Sequence, residues 1–217
     1  MTPAATPAPV PTPAPVRSGT VRPVTQLLVV RHGESEWNAV GRWQGQEDPP
    51  LTDRGRDQAR QASRAVGALD GVVSSPLERA RTTAEIIAEE IGIGPVGTLD
   101  GLIERHAGAW QGLTRSEIED RDPGALAEGR RPEGWEDDDA VRDRVLGAFD
   151  RIHADHPFGF VLAVAHAGVI FAAEAALGAP WERIGNLGGR WFVREDGGWR
   201  LGDRVHLVID ETVPDGL

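Results

Sequence analysis

Two histidines and two arginines stand where the chain has just left an apolar run. Arg31-His32-Gly33-Glu34 follows the apolar run Gln26–Val30. Ser75-Pro76-Leu77-Glu78-Arg79 follows Gly71–Ser75, and His166-Ala167-Gly168 follows Phe160–Ala165. Arginine presents a planar fork of donors that matches a phosphate oxygen pair. Neutral histidine has a ring-nitrogen lone pair near pH 7 and can attack phosphorus without a metal. Neighbouring arginines disfavour the imidazolium and so help to keep His32 in that form. A phosphate monoester needs cations on its equatorial oxygens and a nucleophile in line with the leaving oxygen. It also needs a proton for the alkoxide that leaves, which a carboxylic acid supplies. Glu104 in Leu102–Gly112 is the leading candidate for that acid, with Glu34 and Glu36 as competitors.

These residues work together only if the fold gathers them. The three apolar runs are short and suit strands buried on both faces. Helical stretches separate them, at roughly Thr52–Leu69, Pro76–Ile91, Asp139–His153 and Val169–Leu177. Two helix starts carry the capping-box pattern, Ser75–Glu78 and Thr114–Glu117, with Pro76 expected in the first helical position. Strands alternating with helices predict an α/β fold of three layers, a mostly parallel sheet with helices on both faces. In such sheets ligands bind beyond the carboxyl ends of the strands. The helix near Gly168 would point its N-terminal N–H groups at the same edge. Trp191–Val193, Trp199–Leu201 and Val205–Ile209 read as added strands, with a hairpin around Gly197-Gly198. Residues 1–24 form a proline/alanine tract expected to be a disordered tail, leaving 25–217 as one catalytic domain.

The pattern resembles the histidine phosphatase superfamily, with its phosphoglycerate-mutase-like fold. The resemblance rests on Arg31-His32-Gly33-Glu34-Ser35, Trp37-Asn38 and Gly41–Gln46. It continues through Pro50–Gly55, Ser74–Ala84, Glu104 with Gly108–Gly112, and Ala165-His166. It covers almost all of the chain after the tail, in the family's order. It implies that His32 becomes a phosphohistidine and that Arg31, Arg79 and His166 clamp the phosphoryl group. It implies that Glu104 acts as acid and then base, and that Asn38, Gln44 and Gly45 face the substrate. Ala167 joins that set, standing where many relatives have glycine; its backbone N–H is still on offer. No cofactor and no metal are implied. Within the superfamily the chain resembles actinobacterial phosphatases, including those acting on glucosyl-phosphoglycerate.

Composition narrows the alternatives. A net charge of −11 over 217 residues speaks against nucleic acid and against an anionic membrane surface as partners. There is no cysteine, which removes thiolate chemistry, and no lysine, which removes a Walker-type phosphate loop and a Schiff base. The tract lacks a basic start and an unbroken apolar run, so it does not read as a signal peptide. A cytoplasmic enzyme acting on a small phosphate monoester is expected, with a homodimer left open. The rivals are a mutase of the same superfamily, a phosphate-binding module without activity, and a metal hydrolase using His32, His106 and His166. The short Glu104–His166 interval argues against the mutase's sealing lid, although Arg130-Arg131 falls near that enzyme's carboxylate-binding pair. Trp110 and Trp191 are candidates for the pocket wall, Arg105 and His106 for its rim. The run Glu136–Asp139 reads as a solvated helix start.

Overall fold

A computed structural model describes residues 24–208. The stretch 1–23 of the proline/alanine tract and the predicted strand end at Ile209 lie outside the described residues.

The elements run β1 (Gln26–Arg31), α1 (Glu36–Ala39), α2 (Asp53–Ser63), β2 (Gly71–Ser74), α3 (Glu78–Ile91) and β3 (Gly97–Thr98). Then come α4 (Arg115–Arg121), α5 (Ala125–Glu128), α6 (Asp138–Asp155), β4 (Phe160–Ala165), α7 (Ala167–Ala176), β5 (Gly188–Glu195) and β6 (Gly198–His206). One sheet holds all six strands in the order β3-β2-β4-β1-β5-β6. The first four are mutually parallel, and β5 and β6 are antiparallel. The expected C-terminal strands are thus one hairpin, with the second and third predicted pieces fused into β6.

Side chains alternate between faces along a strand. Leu27 and Val29 of β1 therefore join Val161 and Ala163 in a core under α6 and α7, with Val145, Phe149 and Ile170. Leu28 and Val30 join Leu162 and Val164 in a second core under α2 and α3, with Ala62, Ala84 and Ile87. This is the three-layer arrangement, with β1 and β4 dry on both sides. A smaller cluster of Trp110, Leu113, Ile118 and Ala125, packed by Trp43 and Trp135, lies apart from the two main cores.

Register explains how the site is gathered. Arg31 is level with Ala165, and Ser74 with Val164. The parallel strands thus end together, and His32, Ser75 and His166 are the next residues out. His32 N–H still donates to Ala165 O at 3.0 Å, and Ser75 N–H to Val164 O at 2.9 Å.

The cap at Thr114 forms as read: its side chain accepts from Glu117 N–H, and the Glu117 carboxylate accepts from Thr114 N–H. The one at Ser75 does not form. The N-cap of α3 is Leu77, Pro76 lies before it, and no cap-residue side chain bonds there. Asp48 instead accepts from Glu78 N–H at 2.8 and 3.0 Å. The acidic run does start α6, with Asp137 as the capping residue. Its first member, Glu136, is bound to the Arg144 guanidinium at 2.7 and 2.9 Å and is not simply solvated.

Candidate active site

His32 is 2 % exposed and its ring nitrogens are differently employed. Nδ1 lies 2.6 Å from Gly33 O, which can only accept, so Nδ1 carries the proton. Nε2 therefore holds the lone pair, and Arg79 Nε–H donates to it at 3.2 Å. Burial above all, then the charges of Arg79 and Arg31, push the His32 imidazole well below its ordinary range. The ring is a neutral base with its lone pair directed at a cation.

Both arginines are held by neutral carbonyls. Arg79 donates to Glu47 O at 2.7 Å and Gly45 O at 2.8 Å, and Arg31 donates to Ile184 O at 3.0 Å. The Asp48 carboxylate stands 3.6 Å from Arg79 and is half exposed. Burial brings each guanidinium down to about 10, against the opposing pull of Glu104. Both remain cations at neutral pH; their hydrogen bonds go to neutral carbonyls, and the carboxylate nearest them, Asp48 beside Arg79, is half exposed. An anion is what such a pair lacks.

Glu104 is held against the first turn of α7. Its Oε1 accepts from Arg105 N–H at 2.7 Å and its Oε2 from Gly168 N–H at 3.2 Å. A Cβ on Gly168 would meet Glu104 Oε1 at 2.3 Å, so a side chain there would displace the carboxylate. Gln46 adds a bond from its amide to Glu104 O at 3.0 Å. The rival acids are elsewhere. Glu34 accepts from Thr52 Oγ1 at 2.9 Å, and neither it nor the exposed Glu36 lines the cavity.

That cavity is about 540 Å³ and is lined by Arg31, His32, Arg79 and Glu104, with Asn38, Gln44, Gly45 and Ala167. The Asn38 carbonyl accepts from Ser35 N–H, and Gln44 Oε1 accepts from Ser35 Oγ. Each amide is left with its N–H₂ as the group to offer a ligand. His166 differs from the expectation: it is fully buried and packs behind His32, ring centroids 5.2 Å apart, rather than lining the wall. Burial, then Arg79 and His32, keep it neutral as well. Ser75 Oγ accepts from Leu77 N–H at 3.3 Å and lies 2.8 Å from His166 Nε2. A hydroxyl can accept twice and donate once, so this contact ties the ring to Ser75 in either neutral tautomer. Nδ1 is buried and has no protein partner. A buried ring nitrogen left without a partner beside a nucleophile is a departure from the rule that buried polar atoms are bonded. The sequence pattern expects Ser75 to cap a helix; here its hydroxyl instead holds the His166 ring. Ser75→Ala should lower kcat roughly tenfold, the cost of one unmade buried hydrogen bond, and reshape the acid limb of the pH profile. Ser75→Thr should restore most of the loss. An unchanged pH profile in the alanine variant would remove this role.

The family model of the histidine phosphatase superfamily (branch 1) matches residues 27–202. The chain belongs to the histidine phosphatase superfamily. It is 36% identical over 202 residues to glucosyl-3-phosphoglycerate phosphatase of Mycobacterium tuberculosis, covering 84% of this chain and 90% of that one. It is 36% identical over 159 residues to the metal-independent phosphoserine phosphatase of Arabidopsis thaliana, covering 69% and 67%. The structure of the mycobacterial glucosyl-3-phosphoglycerate phosphatase with VO3 superposes with a TM-score of 0.74 at 31% identity, over 81% of this chain and 96% of that one. This histidine phosphatase is a phosphomonoester hydrolase with the superfamily's phosphoglycerate-mutase-like fold. Among the described residues no helix is long and apolar enough to cross a membrane.

Several wall residues of the phosphatase carry no strand-end signal. Asn186 donates to His32 O at 2.9 Å and to Asn38 Oδ1 at 3.2 Å. Arg183 and Trp181, from the same loop, line the cavity with Asn186. Trp110 and Trp191 are buried in packing and do not reach it; Trp43 and Trp135 do. Arg105 lines the wall, whereas His106 turns to Gly134 O and Gly108 N–H. No group of three His, Cys, Asp or Glu side chains suited to a metal ion occurs among the described residues.

Proposed function

We propose that this phosphatase acts on the phosphate ester of a small carboxylic acid and passes the phosphoryl group through His32. His32 Nε2 attacks phosphorus and forms the N–P bond as the bond to the leaving oxygen breaks. Arg79 Nε–H, which the lone pair otherwise holds, turns to the phosphoryl oxygens. Arg31 shares their charge, and His166, packed against the His32 ring, backs the nucleophile. Asn38, Gln44 and the N–H of Ala167 complete the clamp. Glu104 gives its proton to the leaving alkoxide. It then takes one from water, which attacks phosphorus, breaks the N–P bond and releases inorganic phosphate. These roles are supported by the neutral imidazole beside two buried guanidinium groups whose hydrogen bonds go to neutral carbonyls.

The carboxylate rests on Arg131. Its guanidinium lies 4.7 Å over the Trp135 ring, lines the cavity, and has no carboxylate partner among the described residues. Arg130, its neighbour in the sequence, is tied to Asp122 and Glu128 and does not line the cavity. Arg115 also lines the cavity without a carboxylate partner among the described residues, but Arg131 is the one of the two held on an aromatic face, with its charge open to an anionic ligand. The relatives named for glucosyl-3-phosphoglycerate and phosphoserine have substrates bearing a carboxylate. Arg131→Ala should raise KM for 3-phosphoglycerate roughly tenfold, the worth of one charge-assisted hydrogen bond, and leave p-nitrophenyl phosphate nearly unaffected. Equal losses on the two substrates would assign Arg131 to packing instead.

A further inference from the structure

Three large apolar side chains are more than half exposed among the described residues: Val40, Phe158 and Trp181. Only Trp181, at 68%, lines the active cavity. Tryptophan is normally among the most covered of side chains, and an apolar face left open at the mouth of a pocket marks a binding surface. Trp181 is not a stray. Its ring is 5.7 Å from that of Phe171, which lies one turn along α7 from Gly168. Gly168 is the residue that holds Glu104. The aromatic pair therefore lines the same cavity as the acid, one turn along α7 from the residue that holds it.

The surface continues outward. A second depression of about 370 Å³ shares four lining residues with the first, namely Arg105, Asp138, Phe171 and Trp181. Arg105 and Asp138 form an ion pair at 2.5 Å, with the Asp138 side chain 77% exposed. An aromatic face beside a carboxylate and a guanidinium offers three things at once: a flat apolar contact, hydrogen-bond acceptors and hydrogen-bond donors. A plain aryl group would use the first and strip water from the other two. A second phosphate would be repelled by Asp138. A sugar ring, with one apolar face and hydroxyls around its edge, uses all three.

The geometry points to a leaving-group subsite for a sugar ring, with Trp181 and Phe171 as its floor and Asp138 and Arg105 at its edge. It rests on the phosphatase reading above and extends it past the carboxylate site. Glucosyl-3-phosphoglycerate and 3-phosphoglycerate test it, since they share the acid and the phosphate and differ by the ring. Trp181→Ala should cut kcat/KM on the ring-bearing ester roughly 5- to 20-fold more than on the other, mainly through KM. Trp181→Phe should recover most of that difference, and Asp138→Asn should reproduce part of it. Equal losses on the two substrates, or none on the ring-bearing one, would overturn the subsite. Arg131→Ala, measured alongside, keeps the two ideas apart. It should act on both acids alike. If it acts on neither while Trp181→Ala still discriminates, the carboxylate reading fails and the sugar subsite stands.

Discussion

His32→Ala should lose at least about 10⁴-fold in kcat on every phosphate monoester tested, p-nitrophenyl phosphate included, because a nucleophile is needed whatever leaves. Wild-type enzyme should keep its rate in excess chelator, since Arg31 and Arg79 supply the positive charge that other phosphatases draw from a metal. Wild-type turnover that collapses in chelator and returns with metal would contradict the site as built. A folding readout separates lost chemistry from lost structure. The pKa of His32 is depressed in the folded protein, chiefly by burial. Below about pH 6.5 the unfolded chain takes up a proton that the folded ring refuses, so the wild type loses stability as pH falls. The alanine variant is spared this. Its stability relative to wild type should therefore improve from pH 7.5 to pH 5.5, by up to roughly 1 kcal/mol per pH unit. Urea unfolding at the two pH values checks it. A constant difference would mean that His32 is not held neutral by its surroundings.

The parts of this site that were legible in the sequence are those that follow parallel strands. Apolar runs marked β1, β2 and β4, and the residues just beyond them were bound to share an edge once those strands were parallel. The loop of Trp181, Arg183 and Asn186 escaped that logic for a physical reason. It precedes β5, which runs antiparallel beside β1. The amino end of an antiparallel strand lies at the carboxyl edge of its parallel neighbours, so the approach to β5 enters the site. Leu187 N–H donates to Arg31 O at 3.0 Å, which fastens this loop beside the nucleophile. Nothing in the local pattern announces it. The capping signature places Ser75 at a helix start because it describes what a serine can bond, not what competes for it. A buried histidine ring nitrogen took the hydroxyl, and Asp48, far away in sequence, covered the helix start. β3 escaped because two residues carry too little pattern to mark a strand.

Glu104→Gln should lose far more activity on an alkyl phosphate than on p-nitrophenyl phosphate. An alcohol leaves as a strongly basic alkoxide and needs a proton, whereas nitrophenolate is already a stable anion. A positioned acid is typically worth about 10²–10⁴ in rate, so a loss of that size is expected on 3-phosphoglycerate and a much smaller one on the aryl ester. Glutamine keeps the acceptor that receives the Gly168 or Arg105 N–H, so the acid is removed with little change in shape. Gly168→Ala makes the complementary perturbation. It leaves the carboxyl group chemically intact and drives a methyl into the space of Glu104 Oε1, which would stand 2.3 Å away. The acid must move, and its reach to the leaving oxygen is lost. Gly168→Ala should therefore show the same selective loss on the alkyl ester, without any change in the acid itself. Arg79→Ala should damage both substrates about equally, because it grips the transferred phosphoryl group and not what departs from it. If Glu104→Gln is equally harmful on both, Glu104 is a binding or structural residue. Asp138, the other carboxylate among the described residues that line the cavity, is then the next acid to put through the same comparison.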